Sequence, residues 1–278
     1  MKNTEVEKII KPILSSDGAG VKLKRSIGVE PSYYDPFLML DEFGSEDKED
    51  YIGGFPPHPH RGIETVTYML HGEFEHEDST GGKGRMKAGD VQWMKTGSGI
   101  IHSEMPAMSD GKLQGFQLWI NMPAKLKMSK PEYIYIDADK MSVHNDDDKQ
   151  VKVIAGKFEK AEGPVKGHNV EPVYFDVELN KDKEFNFKLP STHNTFIYLI
   201  NGEIEIGKNK HENVKDSTLI LLTKGEDLIV KAKSNAKFLV ISGKPINEEI
   251  ARGGPFVMNT KAEILQAVQD YHNGTFVK

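Results

Sequence analysis

The feature that most constrains this chain is an internal repeat of one β-unit. Residues 65–75 (TVTYMLHGEFE) match residues 195–205 (TFIYLINGEIE), each with an apolar strand, a turn containing glycine and an alternating strand. A weaker match follows between residues 89–97 (GDVQWMKTG) and residues 215–225 (KDSTLILLTKG). The chain has 278 residues, enough for two separate cores. The repeat therefore predicts an all-β protein built from two copies of one β-barrel.

The spacing of the other apolar segments is typical of the same class, because short runs are separated by Gly, Pro, Asn and Asp. The strands predicted in this way are residues 65–70, 90–94, 115–120, 151–155, 173–179, 195–200, 217–222 and 238–242. One helix is expected near the C-terminus, where Thr260 and Glu263 form a capping box and Gly274 provides a stop. Its apolar face (Ile264, Leu265, Val268, Tyr271) is expected to pack against a barrel.

The domain boundary is predicted to follow residue 142. Residues 1–142 would form the N-terminal barrel, and residues 143–278 the C-terminal barrel with its helix. The polar run 142–150 is expected to connect them. Its three aspartates, residues 146–148, lack the Gly and Glu spacing of a calcium loop, which favours a solvated linker.

The composition excludes several kinds of chemistry. The chain has no cysteine, so disulfides, thiolate metal sites and cysteine nucleophiles are ruled out, which is compatible with the cytoplasm. A net charge of −6 argues against nonspecific nucleic-acid binding. The polar start, residues 1–11, and the absence of a long apolar run predict neither a secretory signal nor a membrane span.

The residues that point to chemistry form two pairs at strand spacing. His58 and His60 are separated by one residue, as are His102 and Glu104, and residues i and i+2 of a strand face the same way. Two such pairs on neighbouring strands would place three imidazoles and a carboxylate in one ring, a donor set that suits a divalent transition metal. Glu64, four residues after His60, is a second candidate for the carboxylate.

The repeat supports a single site, because the second copy lacks these residues. When Thr65 is matched to Thr195, the residues opposite His58, His60 and Glu64 are Lys188, Pro190 and Asn194. When Asp90 is matched to Asp216, the residues opposite His102 and Glu104 are Leu228 and Val230. Packing alone would not require this asymmetry. Six further histidines, at positions 71, 76, 144, 168, 193 and 272, have no comparable ligand partner and are expected to be surface or hydrogen-bonded residues.

Longer strings make the resemblance specific. Residues 35–43 (DPFLMLDEF), 54–68 (GFPPHPHRGIETVTY), 97–104 (GSGIIHSE), 115–121 (GFQLWIN) and 253–260 (GGPFVMNT) resemble the pirin family of the cupin superfamily. The resemblance implies a bicupin with a metal in the N-terminal barrel. It also implies that His58, His60, His102 and Glu104 are the ligands, with Glu64 next to them. Pro106 departs from the general cupin motif, where an asparagine is frequent.

The same resemblance implies two kinds of function. One is a flavonol 2,3-dioxygenase that uses quercetin, dioxygen and a metal, preferably iron, with Glu104 taking the substrate proton. Manganese, nickel, copper and zinc also suit the donor set. The other is a metal-dependent partner of transcription or metabolic proteins, without catalysis. A cupin acting on another small metabolite is a third interpretation. We expect a monomer, because two barrels can cover each other's exposed sheet.

Overall fold

The structure is a computed structural model that describes residues 3–28, 34–207 and 212–278. The chain divides into two compact units. The first barrel comprises residues 13–33, 37–139 and 246–278, and the second barrel comprises residues 1–12, 34–36 and 140–245. This differs from the expected division after residue 142. Residues 1–12 belong with the second barrel, and residues 246–278 belong with the first.

The described elements are short strands with one α-helix. In chain order the strands up to residue 136 are β1 (Val6–Ile10), β2 (Ile13–Asp17), β3 (Val21–Ile27), β4 (Phe37–Ser45), β5 (Phe55–His60), β6 (Ile63–His71), β7 (Phe74–Asp78), β8 (Lys83–Met86), β9 (Val91–Lys95), β10 (Ile100–Pro106), β11 (Leu113–Asn121) and β12 (Glu132–Ile136). Short 3-10 helices lie at Lys48–Asp50, Ala124–Leu126 and Ala138–Lys140.

The remaining strands and the helix complete the described chain. They are β13 (Ser142–Asn145), β14 (Lys149–Ala155), β15 (Lys157–Phe158), β16 (Ala161–Glu162), β17 (Val173–Leu179), β18 (Glu184–Lys188), β19 (Asn194–Asn201), β20 (Glu203–Ile206), β21 (Glu212–Lys215), β22 (Thr218–Leu222), β23 (Asp227–Ala232), β24 (Ala236–Gly243), β25 (Ala251–Gly253), β26 (Phe256–Met258) and α1 (Lys261–His272). The all-β class with a C-terminal helix is confirmed.

Each barrel contains a seven-stranded and a four-stranded antiparallel sheet. In the first barrel the orders are β12-β9-β6-β11-β4-β3-β2 and β5-β10-β7-β8. In the second barrel they are β1-β22-β19-β24-β17-β14-β13 and β18-β23-β20-β21. The four-stranded sheets repeat one arrangement, with β5, β10, β7 and β8 corresponding to β18, β23, β20 and β21. The duplication predicted from the sequence is therefore present in the strand pairing.

The two barrels have different interiors. The second barrel holds one large apolar core that includes Phe175, Phe185, Ile197, Ile220, Phe238 and Val240. In the first barrel, two smaller apolar clusters form around Phe43 and Phe74 and around Ile63 and Trp119, and buried polar side chains lie among its strands. Burying one large apolar side chain stabilises a fold by about 1.5–3 kcal/mol, so the core of the second barrel contributes much of its stability.

Two local predictions have different outcomes. The capping box of α1 is confirmed, since Thr260 accepts a hydrogen bond from the Glu263 amide and Glu263 accepts from the Thr260 amide. The run 142–150 was wrongly predicted to be a linker, because β13 and β14 pair across it as a hairpin. Its turn is closed by Asp146, whose carboxylate accepts from two backbone amides. None of the described helices is long and apolar enough to span a membrane.

Candidate metal centre

The candidate site is built on β10, the strand that lies between β5 and β7. Burial alternates along β10, so His102 and Glu104 point into the barrel. The antiparallel register sets His58 of β5 opposite His102, and His76 of β7 opposite Glu104. The strand pairing alone therefore brings four side chains that can bind a metal to one part of the sheet.

The turn before β10 depends on glycine. Gly97 has a φ of +47°, and a Cβ at that position would lie 2.2 Å from the carbonyl oxygen of Ser129. Gly99 has a φ of +140°, and its Cβ would lie 2.8 Å from Phe276. Side chains are strained in this backbone region, so glycine lets the turn pack closely while it directs β10 inward.

Two groups of ligand atoms overlap at His102. Those of His58, His60 and His102 lie within 4.8 Å of one another, and those of His76, His102 and Glu104 do the same. Within the described chain, the four ligands predicted from the sequence do not form a single group this compact, because Glu104 lies with His76. The structure thus brings the three predicted imidazoles together and places Glu104 beside them.

The hydrogen bonds of the imidazoles favour metal binding through Nε2. His58 Nδ1 lies 2.8 Å from the carbonyl oxygen of Pro56, and His60 Nδ1 lies 3.3 Å from that of Pro255. A carbonyl can only accept, so each Nδ1 carries the proton and each Nε2 keeps its lone pair. Burial, together with the nearby His58, lowers the pKa of His60 to about 3. Burial and the neighbouring histidines also lower the pKa of His102 well below its ordinary value, so both rings are neutral.

Glu104 is held by three neutral donors. Its Oε1 accepts from Thr67 Oγ1 at 2.7 Å and from Gln92 Nε2 at 3.2 Å, and its Oε2 accepts from Gln117 Nε2 at 2.9 Å. Thr67 and Gln92 are buried, and these bonds replace the water that a buried carboxylate loses. None of the three was predicted from the sequence. Polar residues at inward positions of predicted strands are the signal that could have found them.

His76 was expected to be a surface or hydrogen-bonded residue without a comparable ligand partner; it is hydrogen-bonded, but it also lies in one group with His102 and Glu104. It is buried, its Nε2 lies 2.9 Å from Asp78 Oδ2, and its Nδ1 lies 3.5 Å from His102 Nδ1. Its ring stacks on Tyr133, with centroids 4.4 Å apart. The His-x-Asp spacing at 76–78 follows the i, i+2 rule that identified the other pairs, and could have revealed it.

Glu64, the second candidate for the carboxylate ligand, lies in neither group. Its Oε2 accepts a hydrogen bond from the indole Nε1 of Trp93 at 2.6 Å, and the side chain is buried. An indole N–H can only donate, so Glu64 is the acceptor, and this bond holds its side chain away from both groups.

A cavity of about 590 Å³ opens onto the candidate site from within the first barrel. His58, His60 and Glu104 line it, together with the aromatic side chains of Phe43, Phe55 and Trp119. Charged side chains line the cavity as well: Asp17, Arg25, Asp41 and Arg252. The cavity can thus receive a flat organic molecule next to the imidazoles.

The structure corrects one position of the repeat alignment. Phe187 of β18 lies opposite Leu228, as His58 lies opposite His102, so Phe187 rather than Lys188 occupies the position of His58. The segment from Phe187 to Thr195 is one residue longer than that from His58 to Thr65, which accounts for the shift. Lys188 is exposed and forms an ion pair with Asp227. The matches of Leu228 and Val230 to His102 and Glu104 are confirmed.

The residues fit a divalent transition metal. Three imidazoles supply nitrogen donors, a carboxylate lies beside them, and His102 Nε2 is buried with no hydrogen-bond partner among the described residues. A buried polar atom without a partner costs free energy unless a ligand engages it. Among the described residues of the second barrel, no comparable group of His, Asp and Glu is present.

Comparison with known families matches both halves of the chain. The model described as Pirin matches residues 20–120, and the model described as Pirin C-terminal cupin domain matches residues 174–277. The second match includes α1, whereas by compactness α1 belongs with the first barrel. Sequence families and compactness therefore divide the C-terminal segment differently.

Individual relatives match over almost the full length. The chain is 43% identical over 274 residues to a pirin-like protein of Caulobacter vibrioides, covering 98% of each. It is 37% identical over 263 residues to human pirin, covering 93% of this chain and 89% of that protein. A crystal structure named quercetin 2,3-dioxygenase, from Acinetobacter baumannii, has a TM-score of 0.89 at 31% identity and covers 99% of this chain and 98% of that chain.

Proposed function

This chain belongs to the pirin family, and on that premise we propose that it is a metal-dependent dioxygenase acting on a flavonol such as quercetin. The observation that carries the proposal is the group of His58, His60 and His102, with Glu104 beside them, next to a cavity that His58, His60 and Glu104 line. The similar protein from Acinetobacter baumannii, named quercetin 2,3-dioxygenase, supports the choice of substrate class.

Three imidazoles and one carboxylate would hold the metal. His58, His60 and His102 would provide nitrogen donors, and Glu104, which lies beside them, would be the fourth ligand. Iron is the metal we propose, and manganese, nickel, copper and zinc suit the same donors. When bound, the metal supplies a Lewis acid for a substrate oxygen and a redox centre for the reaction with dioxygen.

Glu104 is the group we assign to proton transfer. It lines the cavity, so its carboxylate can meet the 3-hydroxyl of a flavonol. The O–H bond of the substrate breaks, and the proton passes to the carboxylate, leaving the electron pair on the substrate oxygen. Gln92 and Gln117 hold one carboxylate oxygen each. These amides would keep the Glu104 carboxylate directed into the cavity when it accepts the substrate proton.

The walls of the cavity favour a flat aromatic substrate. Trp119 packs edge-on against His60, with centroids 5.0 Å apart, and the Arg252 guanidinium lies 5.1 Å from the Trp119 ring centroid. Phe43 and Phe55 provide further apolar surface. These rings would bind the flavonol through its faces and exclude water from the reacting carbons.

The test is quercetin turnover by purified protein loaded with iron. We expect loss of quercetin absorbance with uptake of one dioxygen per substrate, and His58→Ala should abolish both bound iron and turnover. Glu104→Gln should reduce kcat by roughly a hundredfold to ten-thousandfold, the usual contribution of a general base. Glu64→Gln is the matched control, since its amide oxygen can still accept from Trp93, and it should turn over within a few-fold of wild type. Iron at full occupancy without turnover would contradict the enzymatic proposal and favour a metal-dependent interaction protein.

A further inference from the structure

A buried chain of side chains approaches His102 from the side opposite His58. In β7, His76 and Asp78 both lie next to β10, where His76 is opposite Glu104 and Asp78 is opposite His102. The side chains of His76 and Asp78 are both fully enclosed. The atoms in sequence are Asp78 Oδ2, His76 Nε2, His76 Nδ1 and His102 Nδ1, with separations of 2.9 Å and 3.5 Å at the two contacts.

The direction of the hydrogen bonds along this chain follows from Asp78. Its Oδ1 accepts from the amide of Thr80 at 2.7 Å, the hydroxyl of Thr80 at 2.6 Å and the amide of Gly82 at 3.1 Å. Burial would raise the pKa of Asp78, but the bonds from Thr80, His76 and Gly82 outweigh it, and the pKa is lowered. Asp78 is therefore a carboxylate, which can only accept.

The positions of the ring protons on His76 and His102 follow from the carboxylate of Asp78. His76 must donate its Nε2–H to Asp78, and a ring that carries only this proton has an acceptor at Nδ1. His102 then donates its Nδ1–H to His76, and its own Nε2 is left with a free lone pair. This is the same His102 Nε2 that is buried without a hydrogen-bond partner in the described structure.

We propose that Asp78 and His76 are positioning residues that fix the tautomer of His102 and thereby make Nε2 its metal-binding atom. The proposal rests on the metal site of the proposed function and adds the reason why one of its ligands is ready to bind. Carboxylate–histidine pairs behind a metal ligand orient its ring and set which nitrogen faces the metal.

Tyr133 fixes the ring that transmits this preference. Its ring lies at 12° to that of His76, and its hydroxyl lies 3.4 Å from Gln92 Oε1. Gln92 in turn donates to Glu104. One tyrosine thus contacts the groups behind both His102 and Glu104, so the two β10 side chains are oriented by a connected set.

The sharpest test is Asp78→Asn. The substitution keeps the shape of the side chain but replaces the oxygen that accepts from His76 by an NH2 group that donates. The amide oxygen of asparagine can keep the turn bonds from Thr80 and Gly82, while its NH2 group faces His76. His76 Nε2 would then have to accept, its Nδ1 would carry the proton, and His102 would be forced to hold its proton on Nε2. That tautomer has no lone pair at the metal-binding atom.

The chain contains a matched control. His144 and Asp146 repeat the same spacing, with His144 Nε2 at 2.9 Å from Asp146 Oδ2 and the other oxygen accepting from two backbone amides. Neither residue belongs to the histidine groups of the candidate site. Asp146→Asn therefore makes the same chemical change without touching His102.

Two measurements on the full chain test whether Asp78 sets the tautomer of His102. Long-range 1H–15N correlation spectra of the metal-free protein should show His102 protonated on Nδ1 in wild type and in Asp146→Asn, and on Nε2 in Asp78→Asn. The Kd for Co2+, measured by competition with a chelator, should rise about tenfold to a hundredfold in Asp78→Asn. It should stay within about twofold in Asp146→Asn, which is less than the tenfold loss expected when a residue that supports a metal ligand is changed.

The outcomes separate this inference from the proposed function. An Nε2–H tautomer of His102 in wild type overturns the inference even if Asp78→Asn does not fold. So does an unchanged tautomer or an unchanged Kd in a folded Asp78→Asn protein. Wild type that shows the Nδ1–H tautomer but binds no cobalt would support the orientation of His102 and contradict the metal site on which the proposed function depends.

Discussion

The two barrels place different chemistry on the same strand positions. In the first barrel, β10 turns His102 and Glu104 inward, with His58 and His76 on the neighbouring strands. In the second barrel, β23 turns Leu228 and Val230 inward, with Phe187 and Ile206 on the neighbouring strands. The same arrangement of strands therefore holds candidate metal ligands in one barrel and apolar core residues in the other.

The residues that hold Glu104 differ in the same way. Thr67, Gln92 and Gln117 pair with one another across β9, β6 and β11. The corresponding positions of the second barrel are occupied by the buried apolar residues Ile220 of β22, Ile197 of β19 and Val240 of β24. A carboxylate inside a barrel needs donors around it, so the ligands and their supporting side chains are present or absent together.

The largest effect is expected from placing a carboxylate where the second barrel has no donors. Val230→Glu would put a charge among the apolar neighbours Phe185 and Ile206. It should lower the free energy of unfolding by about 3–5 kcal/mol, the cost of a buried charge without a partner. Urea unfolding measures this loss. Ile229→Glu, at a half-buried position of the same strand, is the control and should cost less. Equal losses would remove the contrast between the two interiors.

The next effect is on metal affinity. Structural sites with four ligands have binding free energies of about 10–16 kcal/mol, so losing one ligand costs about 3 kcal/mol, or more than a hundredfold. His102→Ala should show that loss in a chelator competition. Leu228→Ala, at the matching position of β23, should leave the metal affinity unchanged and cost about 2–5 kcal/mol of stability. A loss of affinity in Leu228→Ala would mean that the second barrel contributes to the site.

A buried lysine makes a third difference, again in the first barrel. Lys127 is 1% exposed, and its Nζ donates to Gly62 O, Asn121 Oδ1 and Val257 O at 2.7–2.9 Å. Lys127→Met should lower the free energy of unfolding by about 1–3 kcal/mol, because these oxygens lose their donor. Thermal or urea unfolding at neutral pH checks it, and an unchanged stability would show that water replaces the ammonium.

The same lysine gives a pH dependence with a definite sign. Burial lowers the pKa of Lys127 from 10.5 to about 8, against the opposing influence of Glu248 and Glu263. Between these two values the unfolded chain binds more protons than the folded one, so the free energy of unfolding should rise with pH in that window. Unfolding curves measured from pH 7.5 to 10.5 should show the rise in wild type and a smaller one in Lys127→Met. Parallel curves for the two proteins would contradict the assignment.

The smallest effect is expected at a single supporting hydroxyl. Thr67→Val removes the 2.7 Å bond to Glu104 and should cost about 1 kcal/mol of stability. Metal affinity should fall by no more than about tenfold, the low end for a supporting residue. Ile197→Val, at the matching position of β19, should cost about 0.5–1.5 kcal/mol without any change in affinity. If both variants changed the affinity equally, Thr67 would have no special relation to Glu104.

Much of the fold followed from local pattern. The repeat at residues 65 and 195 predicted two barrels, and the capping box of Thr260 predicted α1, because both depend on residues close in sequence. The hairpin β13–β14 was missed, since Asp146 acts there as a turn residue and its polar neighbours hide the strand alternation. Which unit α1 packs on depends on tertiary contacts that periodicity does not report.

The site was predictable only where its residues share a strand. His58 and His60, and His102 and Glu104, were found from i, i+2 spacing, and the structure brings the three imidazoles together. His76 was missed because its relation to His102 depends on the register of β7 against β10, which is set by long-range pairing. The shift from Lys188 to Phe187 has the same origin, since one extra residue in a loop changes which side chains face inward.

The first barrel is expected to hold one metal ion, bound by imidazoles of β5 and β10. Crystals of the full chain loaded with iron, measured at the iron absorption edge, would locate the ion by anomalous scattering. We predict one peak per chain, bonded to Nε2 of His58, His60 and His102. A peak elsewhere, a peak in the second barrel, or no peak in protein that retains iron by elemental analysis would contradict the account.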